Sequence, residues 1–359
     1  MSHIRQVYDN ICVNQFPEEV FGEIKGSTVS ERLSNLKTLY HALVREYHPD
    51  RYYDQDEMTQ YIAGQYTGVI NDFYQLARER VQEGVYGETR KSIPSKEEPE
   101  YEVTTKKATY RIYEHLTEGD IADIYRGEFE GEDGATQEVC LKIAQDSRDR
   151  DLIRNEVAAL RTLSHKSLPV LLDTFTTEKN QEAVVLRFIE GMDLYEVLEK
   201  KPEGLPQEHV CWVFERLLSV LGFMHVSKVL HGNIEPGNIM IRPRDHNAFL
   251  IDLCFSLRGG DSFKVCSEDF SAPEVHAKRP PIPPSDMYSL GKCMQFLLGG
   301  NVSKNTFPDS VDIRIVRFIK QFLLENPMHR ARDAWKMWGQ LRDLRTEVFG
   351  PKRFQELKL

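Results

Sequence analysis

The pattern of apolar residues changes at residues 88–107, and that change limits what this chain can fold into more than any other feature. Before it, residues 1–87 repeat apolar side chains at helical spacing. After it, from Ala108, short runs alternate apolar and polar side chains as strands do. The stretch between carries charge and proline but nothing to bury, which is typical of a solvated linker. The pattern therefore predicts a helical domain at 1–87, a linker at 88–107 and an α+β domain at 108–359.

The composition of the 359-residue chain excludes several classes of protein. A net charge of −10 argues against a nucleic-acid-binding protein that relies on a general basic field. No run approaches the roughly 20 apolar residues that cross a bilayer, so no membrane association is expected. The six cysteines show neither a C-x-x-C pair nor a zinc-ligand spacing. We therefore expect free thiols, no structural metal and a reducing, cytoplasmic setting.

A helix with a defined start and end is predicted in the first domain. Apolar side chains recur at helical spacing at Leu33, Leu36, Tyr40, Leu43 and Tyr47. Thr28 and Glu31 form a capping box that would begin this helix. Pro49 would end it, because proline disfavours helical geometry in the residue before it. Another face carries a basic ridge, formed by Lys37, His41 and Arg45.

A second helix is predicted at about residues 57–81, so that a His48-Pro49-Asp50 turn joins two helices. This arrangement resembles the J domain of co-chaperones. The resemblance implies docking on a heat-shock-protein-70-type chaperone and stimulation of its ATP hydrolysis. The docking residues would be Lys37, His41, Arg45, His48, Pro49 and Asp50.

The alternative is a helical hairpin whose H-P-D tripeptide arose by chance. Asp54 and Asp56, where the family often has lysines, favour weak or selective docking.

The second domain contains a segment typical of a catalytic loop. Residues 231–238 read H-G-N-I-E-P-G-N, and residues 252–254 read D-L-C. They resemble the H-R-D-L-K-P-x-N and D-F-G motifs of protein kinases. Further segments follow that family's motifs in the same order, at residues 139–142 (V-A-I-K) and 272–274 (A-P-E) and, with Gly119 as the one glycine kept, at residues 117–122 (glycine-rich loop). The resemblance covers residues 108–345 and implies a bilobal kinase fold, with a small β-rich lobe and a large α-helical lobe.

The resemblance implies a binding site for ATP and Mg²⁺. Its nucleotide-binding positions are Gly119, Ala122, Cys140, Lys142, Glu156, Arg187 and Phe188. Its metal-ligand positions are Asn238 and Asp252. Strand alternation places Cys140 and Lys142 on one face, which would look towards the nucleotide. Lys142 would pair with Glu156.

Two chemically decisive positions of the catalytic loop depart from the family pattern. Asn233 stands where the family has the aspartate that accepts the substrate proton, and Glu235 stands where it has a lysine. A neutral amide has no basic oxygen, and losing a general base typically costs about 10²- to 10⁴-fold. Gly232 replaces an arginine that receives an activation-segment phosphate. Cys254 replaces the D-F-G glycine and removes backbone freedom there.

The residues leave several functions open. The first is a J-domain co-chaperone whose pseudokinase domain binds nucleotide or an unknown client protein. The second is an active atypical Ser/Thr kinase, or another nucleotide transferase. The third is an adaptor without nucleotide. For His231, a packing role in the loop is favoured over that of a substitute base.

Overall fold

The computed structural model of the chain forms two compact units. The first consists mainly of Met1–Lys96, and the second of Glu97–Gly131, Gln137–Leu163 and Ser167–Leu359. The structure describes residues 3–12, 14, 17–87, 98–119, 121–131, 136–146, 148–243, 247–351 and 357–359.

The elements described in the first unit are helices. They are α1 (His3–Cys12), α2 (Pro17–Phe21), α3 (Val29–Tyr47) and α4 (Glu57–Glu83), with a 3₁₀ turn at Pro49–Tyr52. Leu36 of α3 and Ile62 and Ile70 of α4 are buried in one apolar core. Burying these apolar faces against each other holds the two long helices together as a hairpin. The predicted helical hairpin is therefore present.

The predicted limits of α3 are confirmed by its capping geometry. The Thr28 side chain accepts the Glu31 N–H at 3.2 Å, and the Glu31 carboxylate accepts the Thr28 N–H at 3.4 Å. These two bonds satisfy N–H groups that have no partner inside the helix. At the other end the helix stops at Tyr47, and His48 is extended, with ψ 138°, before Pro49.

The second unit begins with a six-stranded sheet. Its strands are β1 (Tyr101–Thr104), β2 (Thr109–Glu118), β3 (Ala122–Glu130), β4 (Thr136–Ala144), β5 (Leu171–Thr176) and β6 (Glu182–Arg187). Their order across the sheet is β1-β2-β3-β4-β6-β5. Val139 and Leu141 of β4 are buried in the apolar core on one side of this sheet. Cys140 and Lys142 therefore lie on the opposite face, as strand alternation predicts.

The linker predicted at residues 88–107 is wrong at its C-terminal end. Tyr101 pairs with Ile112 and Val103 with Tyr110, so β1 is the first strand of the sheet. Four residues are too few to show an alternating pattern by themselves, and pairing with β2 provides the order. The earlier part of that predicted linker, residues 88–97, lies outside the described residues.

Helices are the main regular elements of the remaining chain. They are α5 (Arg150–Leu160), α6 (Leu194–Lys200), α7 (Gln207–Val226), α8 (Pro273–His276), α9 (Pro283–Leu297), α10 (Ile313–Lys320) and α11 (Ala334–Phe349). A small antiparallel sheet lies among them, formed by β7 (Met192–Asp193), β8 (Ile239–Arg242) and β9 (Asn247–Leu250). The predicted division into a sheet-rich and a helical lobe is present.

Helix α7 is the central apolar element of this lobe. It is long and apolar enough to cross a membrane, which the sequence analysis did not anticipate. Its most apolar window is 83% buried inside the structure, as expected of the core helix of a folded lobe. Gly222 on this helix lies against the Trp335 ring of α11, which leaves no space for a Cβ atom.

Candidate active site

Lys142 lies at the centre of a buried charged cluster. Its ammonium group is 3.1 Å from Glu156 Oε2 and 2.6 Å from Asp252 Oδ1. It also donates to Cys254 Sγ at 3.1 Å. Burial by itself would lower the Lys142 pKa, but the two carboxylates raise it well above its usual value. The lysine is therefore charged, and the predicted ion pair with Glu156 is present.

The Asp252 carboxylate joins this cluster from the segment that follows β9. Burial would raise its pKa, but Lys142 lowers the pKa below the usual value, so Asp252 is ionised. The Asp252 backbone is left-handed, with φ 61°. Such a conformation is uncommon outside glycine, and aspartate is one of the residues that tolerate it. It turns the chain so that the carboxylate points back to Lys142.

Cys254 joins the same cluster through its thiol. Burial, and then Glu156, raise the Cys254 pKa well above its usual value, so the thiol keeps its proton. The thiol donates to Glu156 Oε2 at 3.3 Å, and the Leu253 N–H donates to Glu156 Oε1 at 3.1 Å. Cys254 lies in a 3₁₀ turn at Leu253–Phe255 and does not need the left-handed backbone that favours glycine.

The catalytic-loop-like segment is held by a buried carboxylate of α9. Asp286 accepts the N–H groups of His231 and Gly232 at 2.9 and 3.0 Å. Burial would raise the Asp286 pKa, but a hydrogen bond from His225 lowers it. Gly232 is left-handed, with φ 78°, and a Cβ there would lie 2.6 Å from Phe255 O. This position therefore has no room for a side chain.

The His231 ring is hydrogen-bonded to the backbone through both of its nitrogens. Its Nε2 is 3.0 Å from Ile251 O, and its Nδ1 accepts the Asn233 N–H at 3.3 Å. Because a carbonyl can only accept, the ring proton is on Nε2. Burial lowers the His231 pKa, which keeps the ring neutral. Both ring nitrogens are engaged, so the structure favours the packing role over that of a substitute base.

The remaining predicted loop residues, Asn233, Glu235 and Asn238, are half-buried. Asn238 donates its amide to Asn233 O at 3.0 Å, which leaves its own carbonyl oxygen as an acceptor. Glu235 is half-buried. Burial raises the pKa of Tyr195 and of Cys293, and the Glu235 charge raises both further. Glu235 therefore places negative charge next to α6 and α9.

The turn between β2 and β3 is the candidate phosphate loop. The Gly119 N–H donates to Ala122 O at 3.0 Å, and Gln145 donates its side-chain amide to Gly119 O at 2.9 Å. A Cβ at Gly119 would lie 2.9 Å from Ala122 O, which explains the glycine. The turn is thus tied to the end of β4 by Gln145, a residue that sequence reasoning missed. Asp120 lies outside the described residues.

The predicted adenine end of the site is formed by β4 and β6. Cys140 is paired with Leu186 across the sheet, and burial raises the pKa of its thiol to about 11. The Arg187 N–H donates to Val170 O, and the Phe188 N–H donates to Glu138 O. Both predicted hinge N–H groups are therefore engaged in hydrogen bonds within the protein. An adenine ring would have to hydrogen-bond to carbonyl groups at this position, or to backbone groups further along the chain.

The donor set fits a magnesium-bound nucleotide. Asp252 and Asn238 offer the oxygen ligands that Mg²⁺ prefers. Within the described part of the chain, one group of acidic and thiol side chains converges closely enough for a metal: Glu156, Asp252 and Cys254, whose ligand atoms lie within 4.8 Å of one another. The Lys142 ammonium contacts all three, so it offsets one of the two carboxylate charges in this structure.

The H-P-D turn and the basic ridge in the first unit form a separate surface. Lys37, His41 and Arg45 are all exposed on α3. His48 is half-exposed, and its Nδ1 accepts the Asp50 N–H at 3.2 Å. The Asp50 side chain is 89% exposed. Pro49 begins the 3₁₀ turn. All six predicted docking residues thus belong to one short segment, and the four charged or titratable groups other than His48 point to solvent.

Comparison with known proteins identifies the second unit. The sequence profile of the protein kinase domain matches residues 110–343. The chain is 25% identical to the Arabidopsis thaliana Serine/threonine-protein kinase TIO over 257 residues, which cover 65% of this chain and 19% of that protein. It is 29% identical to Serine/threonine-protein kinase B of Synechocystis over 219 residues, covering 54% and 38% of the two chains. It therefore spans much less than two thirds of either relative.

Proposed function

The chain belongs to the protein kinase domain family, and we propose that it is a J-domain co-chaperone whose kinase-like unit binds nucleotide or a client protein but is impaired in phosphoryl transfer. One observation carries the kinase-like part of the proposal. Lys142, Glu156 and Asp252 form a complete charged cluster, whereas Asn233 and Glu235 occupy the positions of the family's proton acceptor and lysine.

A magnesium-bound nucleotide would supply a transferable phosphoryl group and charge neutralisation. Lys142 would balance phosphate charge, because Glu156 and Asp252 hold it ionised and in place. Asp252 and Asn238 would hold the metal. The Asn233 amide cannot accept the proton of an acceptor hydroxyl. Glu235 adds a negative charge in place of a positive one, which repels a transferring phosphate. These residues therefore suit nucleotide binding better than phosphoryl transfer.

The co-chaperone part of the proposal rests on α3 and the turn after it. The ridge formed by Lys37, His41 and Arg45 is exposed, and so is Asp50 at the tip of the turn. Exposed basic side chains beside an acidic one suit an interface with complementary charges. The partner would be a heat-shock-protein-70-type chaperone, directed by this protein to a client that the kinase-like unit selects.

Asp50→Asn tests the docking surface without changing the size of the side chain. We expect the full-length protein to stimulate the ATPase of a heat-shock-protein-70-type chaperone, and the variant to lose at least about nine-tenths of that stimulation, as expected for loss of a charged contact of 1.4 kcal/mol or more. Glu79→Gln, which removes the same charge from an exposed carboxylate of α4, is the matched control. Equal stimulation by wild type and Asp50→Asn would refute the docking role.

A second candidate is an active atypical Ser/Thr kinase. It is favoured by the names of both relatives and by the assembled Lys142 cluster. Purified protein incubated with labelled ATP would incorporate phosphate into itself or a general substrate protein, and Asp252→Ala would eliminate that label. Label that survives Asp252→Ala would come from another enzyme, and no label in the wild type would exclude this candidate.

A further inference from the structure

Asn155 on helix α5 makes an unusual set of contacts to the segment after Asp252. Its amide nitrogen lies 3.0 Å from Cys254 O, 2.7 Å from Ser256 O and 3.2 Å from Ser256 Oγ. A side-chain amide has two protons, so two of these contacts are full hydrogen bonds and the third shares a proton. Two carbonyl groups of a loop are thereby tied to a helix by one half-buried side chain.

The next residue of α5 holds the same segment. Glu156 accepts the Leu253 N–H and the Cys254 thiol. Asn155 therefore holds the segment by its carbonyl groups, and Glu156 holds it by its donors. Both kinds of polar group are satisfied in a largely buried place, where an unpaired one would be costly. Two successive residues of α5 thus hold the segment after Asp252 against that helix, next to Lys142.

The family's other means of ordering this segment is missing here. At Gly232, the position of the arginine that would receive a phosphate on the activation segment, Phe255 O approaches the glycine so closely that no side chain fits. The segment packs directly on the catalytic-loop backbone at this point. Leu230 and Leu257 also exchange two backbone hydrogen bonds of 2.9 Å. Contacts within the protein therefore order the segment where a phosphate–arginine pair would otherwise act.

We propose that Asn155 is a positioning residue that keeps Asp252 beside Lys142, so that the site for the phosphates and metal of a nucleotide is assembled without phosphorylation of the activation segment. This inference rests on the proposed nucleotide binding. Asn155 acts on the ligand only through its contacts to Cys254 and Ser256. Phosphorylation of Ser262 or Ser267, two serines between Asp252 and Glu274, is then not needed to assemble the site.

Asn155→Ala is the central variant, because alanine favours helix and should leave α5 folded. Amide hydrogen exchange at residues 253–257 should become roughly tenfold faster, as expected when about 1.4 kcal/mol of hydrogen bonding is lost. Arg154→Ala, an exposed neighbour on the same helix, should leave this exchange unchanged. Asn155→Asp is a second variant, which puts a carboxylate against the two carbonyl groups and should have a larger effect. Unchanged exchange in both Asn155 variants would overturn the proposal.

Ligand binding separates a positioning role from a general structural one. Asn155→Ala should weaken Mg²⁺-ATP binding roughly tenfold and leave adenosine binding unchanged, because adenosine has no phosphate or metal to meet Asp252. Equal losses for both ligands would indicate a structural role and contradict the proposal. Tighter Mg²⁺-ATP binding in Ser262→Glu or Ser267→Glu would also contradict it. If the wild type binds neither ligand, the proposed nucleotide binding fails, while the exchange measurement still decides the role of Asn155 in holding the segment.

Discussion

The two ends of the candidate site, the Lys142 cluster and the catalytic-loop residues Asn233 and Glu235, differ in whether the residue types of the kinase family are kept. At the Lys142 end, Glu156 is buried and every charged group contacts an opposite charge or a hydrogen-bond donor. At the other end, Asn233 and Glu235 are half-buried, and the residue types themselves have changed. The comparison teaches that ligand binding and proton transfer are separable, because they depend on different side chains of one scaffold.

The largest expected effect comes from restoring the changed end. The double variant Asn233→Asp/Glu235→Lys should transfer phosphate from labelled ATP about 10²- to 10⁴-fold faster than the wild type, because it regains a proton acceptor and a cation. The intact Lys142 end should need no change. Initial rates measured on one substrate protein test this. A wild-type rate equal to that of the double variant would remove the distinction between the two ends.

Removing the Lys142 ammonium group should lower the stability of the folded protein. Lys142→Ala leaves Glu156 and Asp252 without their cation, and breaking a buried pair of this kind typically costs about 3–5 kcal/mol of unfolding free energy. Urea denaturation of both proteins measures the difference. Lys179→Ala, which removes an exposed lysine from the same lobe, is the control and should change stability by less than about 0.5 kcal/mol. Equal effects of the two substitutions would show that the cluster is not a stabilising unit.

The effect of Lys142→Ala should depend on pH in one direction. Lys142 lowers the Asp252 pKa, so its stabilising contribution is present above the pKa of an unfolded aspartate, about 3.9. That contribution is lost as the pH falls through the lower pKa of the folded protein. The stability difference between wild type and variant should therefore be full at neutral pH and should shrink below about pH 4. A difference that grows on acidification would contradict this assignment.

The smallest of these effects is expected at Gly232, between the two ends. Gly232→Ala should cost about 1–3 kcal/mol, because alanine is strained in the left-handed backbone and would meet Phe255 O. Thermal unfolding measures the loss. Gly259→Ala, at an exposed glycine with open space around it, is the matched control and should be nearly neutral. Tolerance of both changes would show that the segment after Asp252 can move away from the loop.

Local features of this chain could be read from its sequence because they depend on neighbouring residues. The start of α3 at Thr28 follows from a capping box, and its end follows from Pro49. The face of β4 that carries Lys142 follows from strand alternation. In contrast, β1 was missed because its order comes from pairing with β2, and α7 was not recognised as a long apolar helix because Glu208, Glu215 and Arg216 interrupt it.

The sequence by itself determined the order of motifs, the helical first domain, and the replacement of the acidic and basic positions by Asn233 and Glu235. Only the tertiary structure decided what surrounds them. Asn155 reaches Cys254 and Ser256 about 100 positions further along the chain. Such contacts have no local signal, because folding brings together segments whose spacing in the sequence carries no periodic pattern. Residue identity determines the available chemistry, and long-range packing determines which groups are held in position to use it.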